Sequence, residues 1–152
     1  MQCVNCKTKM IMKKKNIKYP LADLNLHMVE IPTPTCECCG YTEVAISGIK
    51  NIHMSVAGIL INRIPEINGE QIKFLRKYMR MSPSVFYTYL FGGKPTEAEL
   101  EATVLAWEKD KKKPDQINFI YTKHLVESYM LKEVEEYERL VENITIYSPE
   151  DF

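Results

Sequence analysis

No run in this 152-residue chain is both long enough and apolar enough to span a bilayer, and the polar start Met1–Cys6 lacks the apolar segment of a signal peptide. Catalytic signatures are equally scarce. The three histidines, His27, His53 and His124, are scattered and read as surface or packed side chains. No Ser or Cys sits in a nucleophile motif, and no phosphate-cradling glycine loop follows a strand; Gly92-Gly93 reads as a turn. An enzyme is therefore not expected. Net charge is missing as well, with 20 Lys and Arg against 20 Asp and Glu, but the balance conceals three blocks. Residues 1–66 carry eight basic against five acidic residues, residues 67–113 nine against six, and residues 114–152 three against nine. A mildly basic body with an acidic end permits a nucleic-acid contact without demanding one.

What is present is cysteine in one place. All five cysteines lie in the first quarter: Cys3 and Cys6 form one C-x-x-C pair, Cys36 and Cys39 a second, and Cys38 falls between the latter two. Two such pairs suit a closed, tetrahedral, structural Zn²⁺ site, with buried or redox-active thiols as the plainer alternative. Cys38 is odd by count and reads as a free thiol, with replacement of a neighbouring ligand as the other option. Unpaired cysteine use points to a reducing cytoplasm. The 29 residues between the pairs call for a long hairpin or meander.

Periodicity supplies the remaining elements. Lys7–Lys18 alternates weakly, and Leu24, Leu26 and Met28 alternate with Asn25, His27 and Val29, as a half-buried strand does. Pro32 and Pro34 are expected to end that strand, Lys13–Lys15 to lie near the hairpin tip, and Tyr41–Ile46 to form a third strand. Ile49, Ile52, Val56, Ile59, Leu60 and Ile64 recur at helical spacing up to Pro65, which gives a connecting helix. Beyond it the pattern is all helical. Asn68 with Gln71 forms a capping box before Ile72, Leu75 and Met79; Ser82-Pro83 restarts a helix through Val85, Phe86, Tyr89 and Leu90; Gly92-Gly93 breaks it. Thr96 with Glu99 opens a third helix through Leu100, Val104 and the core anchor Trp107, which fades into Lys109–Lys113 before Pro114. This is the plan of a helix-turn-helix. A long helix follows over Gln116–Asn143, with an apolar stripe wider than one solvated face needs, and Thr145–Phe152 reads as a tail. The expected fold is thus α+β: a small antiparallel zinc-ribbon-like domain with its connecting helix over 1–66, then a helix-turn-helix domain with a long C-terminal helix over 67–152.

The order CVNC, CECCG, a linker, IKFLRKYMRMSP, LFGG and WEKDKKKP resembles the MqsA-type antitoxins over about residues 1–116. The resemblance implies a zinc-binding domain that contacts a partner toxin, an Xre-type helix-turn-helix that binds the promoter of its own operon, and a homodimer. It departs from that family at the third helix, where base-reading positions hold Ala102 and Ala106 and where Glu97, Glu99 and Glu101 crowd the start. The expected function is a DNA-binding transcriptional regulator with Arg76, Lys77, Arg80, Lys94, Lys109, Lys111, Lys112 and Lys113 on phosphates and Thr96 and Thr103 reading bases. The competing expectation is a helix-turn-helix scaffold turned toward a protein partner, for which an acidic helix is an ordinary contact surface.

Overall fold

The computed structural model describes residues 1–43 and 49–145, with side chains described up to residue 136. The fold is α+β. Among the described residues two strands, β1 (Ile11–Leu21) and β2 (Leu24–Thr35), are followed by six helices: α1 (Ile49–Arg63), α2 (Gly69–Tyr78), α3 (Pro83–Phe91), α4 (Glu97–Ala102), α5 (Val104–Glu108) and α6 (Gln116–Thr145). The chain divides into two compact units, Met1–Lys50 and Asn51–Phe152.

In the first unit β1 and β2 pair antiparallel through Leu21↔Leu24, so the hairpin turns on two residues, Ala22 and Asp23, both with φ near +50° (50° and 53°). That is the mirror-image turn whose twist matches the strands. The lysine run is therefore not at the tip. Lys13, Lys14 and Lys15 lie within β1 opposite Thr33, Pro32 and Ile31. Pro32 and Pro34 do not end the strand either. They lie two residues apart, so both nitrogens point away from β1, where no ladder hydrogen bond is lost. One irregularity interrupts the ladder between Lys15 and Ile17. There Glu30 adopts φ 54° and donates its N–H to Asn16 Oδ1 at 3.1 Å, so that two residues of β2 face one of β1. The third strand reduces to an isolated bridge, Thr35↔Thr42, and Val44–Ile46 lie outside the described residues. The buried apolar cluster of this unit is Cys3, Met10 and Cys36, with Cys6 and Tyr41 packed against it.

The second unit has a conventional apolar core. Helix α1 buries Val56, Ala57, Leu60 and Ile61. Gly58 brings it against the Met130 methyl of α6, and His53 meets the Phe74 ring of α2 edge-on at 5.6 Å. The sequence reading divides the chain after residue 66 and so groups this helix with the zinc domain; its residues from Asn51 onward lie in the second compact unit. The Asn68/Gln71 capping box opens α2 in both directions, and Ser82 caps α3 with Pro83 in its first turn. Ile72, Leu75, Met79, Phe86, Leu90, Val104 and Trp107 are buried together with Phe119 and Val126 of α6.

The third expected helix is two helices. Thr103 stands at the break with φ −125° and ψ −102°, and its hydroxyl donates to the Glu99 carbonyl at 2.6 Å. Such a bond back to the preceding turn competes with the helical ladder. Beyond the break, α5 lies hard against the start of α2. A Cβ on Gly69 would collide with the Glu108 carbonyl oxygen, and the Gly69 N–H donates to Asp110 Oδ1 at 2.7 Å.

Candidate metal centre and basic surface

The cysteine cluster is assembled by two backbone turns of the same design. Lys7 donates its N–H to the Cys3 carbonyl at 2.9 Å, and Gly40 donates to the Cys36 carbonyl at the same distance. The Cys3 N–H reaches the Thr8 carbonyl at 2.9 Å, and the Cys36 N–H reaches that of Tyr41 at 2.8 Å. Both turns need a left-handed residue after the second cysteine, and they have it: φ is 63° at Lys7 and 75° at Gly40. The flanking bridges Gln2↔Lys9 and Thr35↔Thr42 match as well. Each C-x-x-C pair is thus a rigid knuckle that aims two sulfurs at one point.

The four sulfurs of Cys3, Cys6, Cys36 and Cys39 all lie within 4.8 Å of one another, with Cys3 to Cys39 at 3.5 Å and Cys6 to Cys36 at 3.3 Å. Disulfide sulfurs would be ~2.05 Å apart, and none of the five cysteines is bridged. Sulfurs ~2.3 Å from a tetrahedral Zn²⁺ stand about 3.8 Å apart. The cluster therefore has the size of a metal cage, and it could hold an ion. Cys38 is exposed and outside the cluster.

Proton competition within the cluster leads to the same reading. The Thr8 side chain and then its backbone amide hold Cys6 down to about 6. Desolvation opposes ionisation of Cys3, yet the amides of Cys6 and Asn5 with the thiols of Cys39 and Cys36 keep it below the ordinary thiol value. The amide of Tyr41 favours the thiolate of Cys39, but Cys3, burial, Cys36 and Cys6 together push it up to about 12. Four thiols this close oppose one another's ionisation, and a metal ion held among them would favour the thiolates.

The expected DNA-contact residues separate into two groups. Arg76 is corrected: it is buried, its Nε donates to Glu108 Oε1 at 2.7 Å, and a terminal nitrogen donates to the Met81 carbonyl at 2.9 Å. Its fork is occupied inside the helical unit and does not face phosphate. The hydroxyls of both expected base readers are also engaged locally, Thr96 accepting from the Glu99 N–H at 3.2 Å and Thr103 donating to the Glu99 carbonyl. The helix carrying Ala106 is buried there, and the exposed α4 before it presents Glu97, Glu99 and Glu101. Lys77, Arg80, Lys94, Lys109, Lys111, Lys112 and Lys113 are exposed.

Four of those lysines belong to one segment whose backbone is fixed at its start. Asp110 takes φ 57°, the Lys111 N–H donates to the Ala106 carbonyl at 2.9 Å, and the Asp110 N–H donates to the Trp107 carbonyl at 3.1 Å, closing α5 with a paired terminal motif. Lys109 and Lys73 line one 480 Å³ cleft between α2 and α5, and Lys113 lines another of 780 Å³ with Pro65, Phe119 and Lys123. Lys94 stands apart, in the connection between α3 and α4. Sequence reasoning missed Glu108, Asp110 and Lys73. The signal for the first was available: Arg76 falls on the apolar stripe Ile72, Leu75 and Met79, where an arginine needs an anionic partner. Comparison of the chain with models of known protein families and with curated proteins finds no match.

Proposed function

We propose that the protein is a zinc-stabilised, DNA-binding transcriptional regulator similar in plan to the MqsA-type antitoxins, gripping DNA mainly through its phosphates. The observation that carries the reading is the exposed lysine segment Lys109–Lys113, which leaves a helix locked to α2 by the Arg76–Glu108 pair and the Asp110–Gly69 hydrogen bond. A charged segment on a fixed base suits phosphate contact, whereas a buried α5 and tied threonine hydroxyls leave little for base reading. Zn²⁺ is the ion we assign to the four-cysteine cage, as a structural ligand in a reducing cytoplasm. The role is binding rather than catalysis.

Retardation of the protein's own upstream DNA tests this. Binding is expected to weaken steeply with salt, and reversing Lys111, Lys112 and Lys113 to Glu should abolish retardation at moderate salt and flatten the slope of log K against log salt by about 3. No retardation at low salt sinks the proposal.

A second reading is favoured by one observation: α4 buries none of its residues and turns its glutamates to solvent. In that reading the helical scaffold holds a protein partner, such as a toxin encoded beside it. Co-expression with the neighbouring gene product should then yield a complex that Glu97→Lys with Glu101→Lys disrupts; purification of the protein alone would count against it.

A further inference from the structure

The 780 Å³ cleft of the second unit brings together groups that DNA binding leaves mostly unused. Its apolar lining comes from Ile64 and Pro65, where α1 has ended, and from Phe119 and Ile120 of α6. Phe119 is buried, while Ile120 is 45% exposed. Two ammonium groups line the same cleft: Lys113 just before α6, and Lys123 about 10 Å along that helix from its start. Among the described residues neither lysine has a carboxylate at ion-pairing distance. Two carboxylates also line the cleft, Glu127, which lies 3.8 Å from His124 Nδ1, and the exposed Glu66. A cavity of this volume falls in the range of small-molecule sites, where apolar walls supply affinity and a few charged groups fix orientation.

We infer that this cleft binds a small amphipathic anion, an apolar body ending in one carboxylate, and that its occupation weakens the grip on DNA. The body covers the apolar lining, and the carboxylate takes the two lysines that no protein carboxylate engages. Glu66 and Glu127 set the limit on charge. One negative group is drawn to Lys113 and Lys123, whereas a second, at the other end of the ligand, meets carboxylates with no further lysine to offset them. The site itself stands on the cleft alone. Its effect on DNA rests on the proposed function, in which Lys113 belongs to the phosphate-gripping segment Lys109–Lys113. A side chain that holds the ligand is withdrawn from phosphate, and the ligand brings a negative charge to the same place. The two bindings are therefore antagonistic, and reciprocally so.

Calorimetric titration of the full chain with sodium decanoate, in the absence of DNA, tests the site. Decanoate should bind with a Kd of about 1 mM or tighter, and decylamine and decanedioate at least about tenfold more weakly. Lys113→Glu with Lys123→Glu should weaken decanoate at least about tenfold, with helical circular dichroism unchanged. Should that variant lose helicity, Lys113→Gln with Lys123→Gln makes the same comparison, with a loss of about threefold. Retardation of the upstream DNA at matched sodium concentration then tests the antagonism. Decanoate at about ten times its Kd should weaken retardation by the native chain about fivefold. Retardation by Ile120→Glu with Lys123→Glu, which keeps Lys113 and spoils the cleft, should not respond. Decanoate that fails to bind, that binds no better than decylamine or decanedioate, or that binds the lysine variants equally well overturns the site. Binding as expected with retardation unchanged overturns the antagonism alone. No retardation even without decanoate sinks the DNA reading and the antagonism with it, while the titration still decides the site.

Discussion

Among the described residues, the buried apolar ones of the first unit are two cysteines and a methionine, while those of the second are a dozen or more aliphatic and aromatic side chains drawn from every helix but α4. One unit is organised around a point and the other around a volume. The difference lies in what the backbone does. In the first unit the knuckles satisfy their own carbonyls and amides and converge four thiols. The hairpin between them is an arm with one half-buried apolar face and no fully buried residue from Lys14 to Leu26. In the second unit capped helices hold their ladders independently, and burial decides how they meet. A small β unit with so little core folds on its own only when a metal or a disulfide supplements it, and the cysteines here are unbridged.

The largest effect should come from removing the cage. Replacing the fully buried Cys36 by Ser, or stripping the proposed Zn²⁺ with a strong chelator, is expected to unfold the first unit, since a structural Zn²⁺ of the kind proposed would contribute on the order of 10 kcal/mol or more. Hydrogen exchange should show amides of β1 and β2 losing protection while those of α2 and α6 keep theirs; equal loss in both units would erase the distinction. A smaller effect should come from the ion pair buried in the helical unit. Glu108→Ala leaves the Arg76 guanidinium buried and unpaired and should destabilise the second unit by about 3 to 5 kcal/mol, whereas Arg76→Met with Glu108→Leu should cost far less. Urea melts followed by the single tryptophan, Trp107, report on that unit directly. If the double variant is as unstable as the single one, the pair matters for packing rather than for charge.

The smallest effect concerns Tyr78, which is buried and donates its hydroxyl to Glu133 at 2.7 Å. Tyr78→Phe should cost about 1 kcal/mol. Burial, and then Glu133, raise the phenol well above its ordinary value near 10. The folded state therefore favours the neutral ring: the contribution is complete below pH 10 and is lost as pH climbs toward the folded value. Stability of the second unit should fall above pH 10 in the native protein and fall less in the Phe variant. An identical alkaline profile for both would remove Tyr78 from the account.

Much of this was legible in the residues themselves. The thiol pairs gave the cage, Asn68 with Gln71 and Ser82-Pro83 gave two helix starts, and the apolar spacing from Gln116 gave one long helix. The hairpin tip was not legible because Ala22-Asp23 carries no glycine, so the sequence reading sets the lysine run there instead of within β1. The break at Thr103 depends on a hydroxyl choosing a carbonyl one turn back, a choice that composition does not record. For Arg76, charge suggested the surface while periodicity placed it inside, and the anion that resolves the conflict is 32 residues away.

The near-equivalence of the two knuckles has an architectural corollary. Because each is closed by its own hydrogen bonds, with the strands merely entering and leaving between them, the reach of the hairpin is not set by the cage. Trimming one residue pair next to the Ala22-Asp23 turn would shorten the arm by ~3.4 Å per strand and leave both halves of the clasp aligned. The arm can thus be resized like a sliding extension, whether by natural variation or by a designer seeking to display a peptide at its far end.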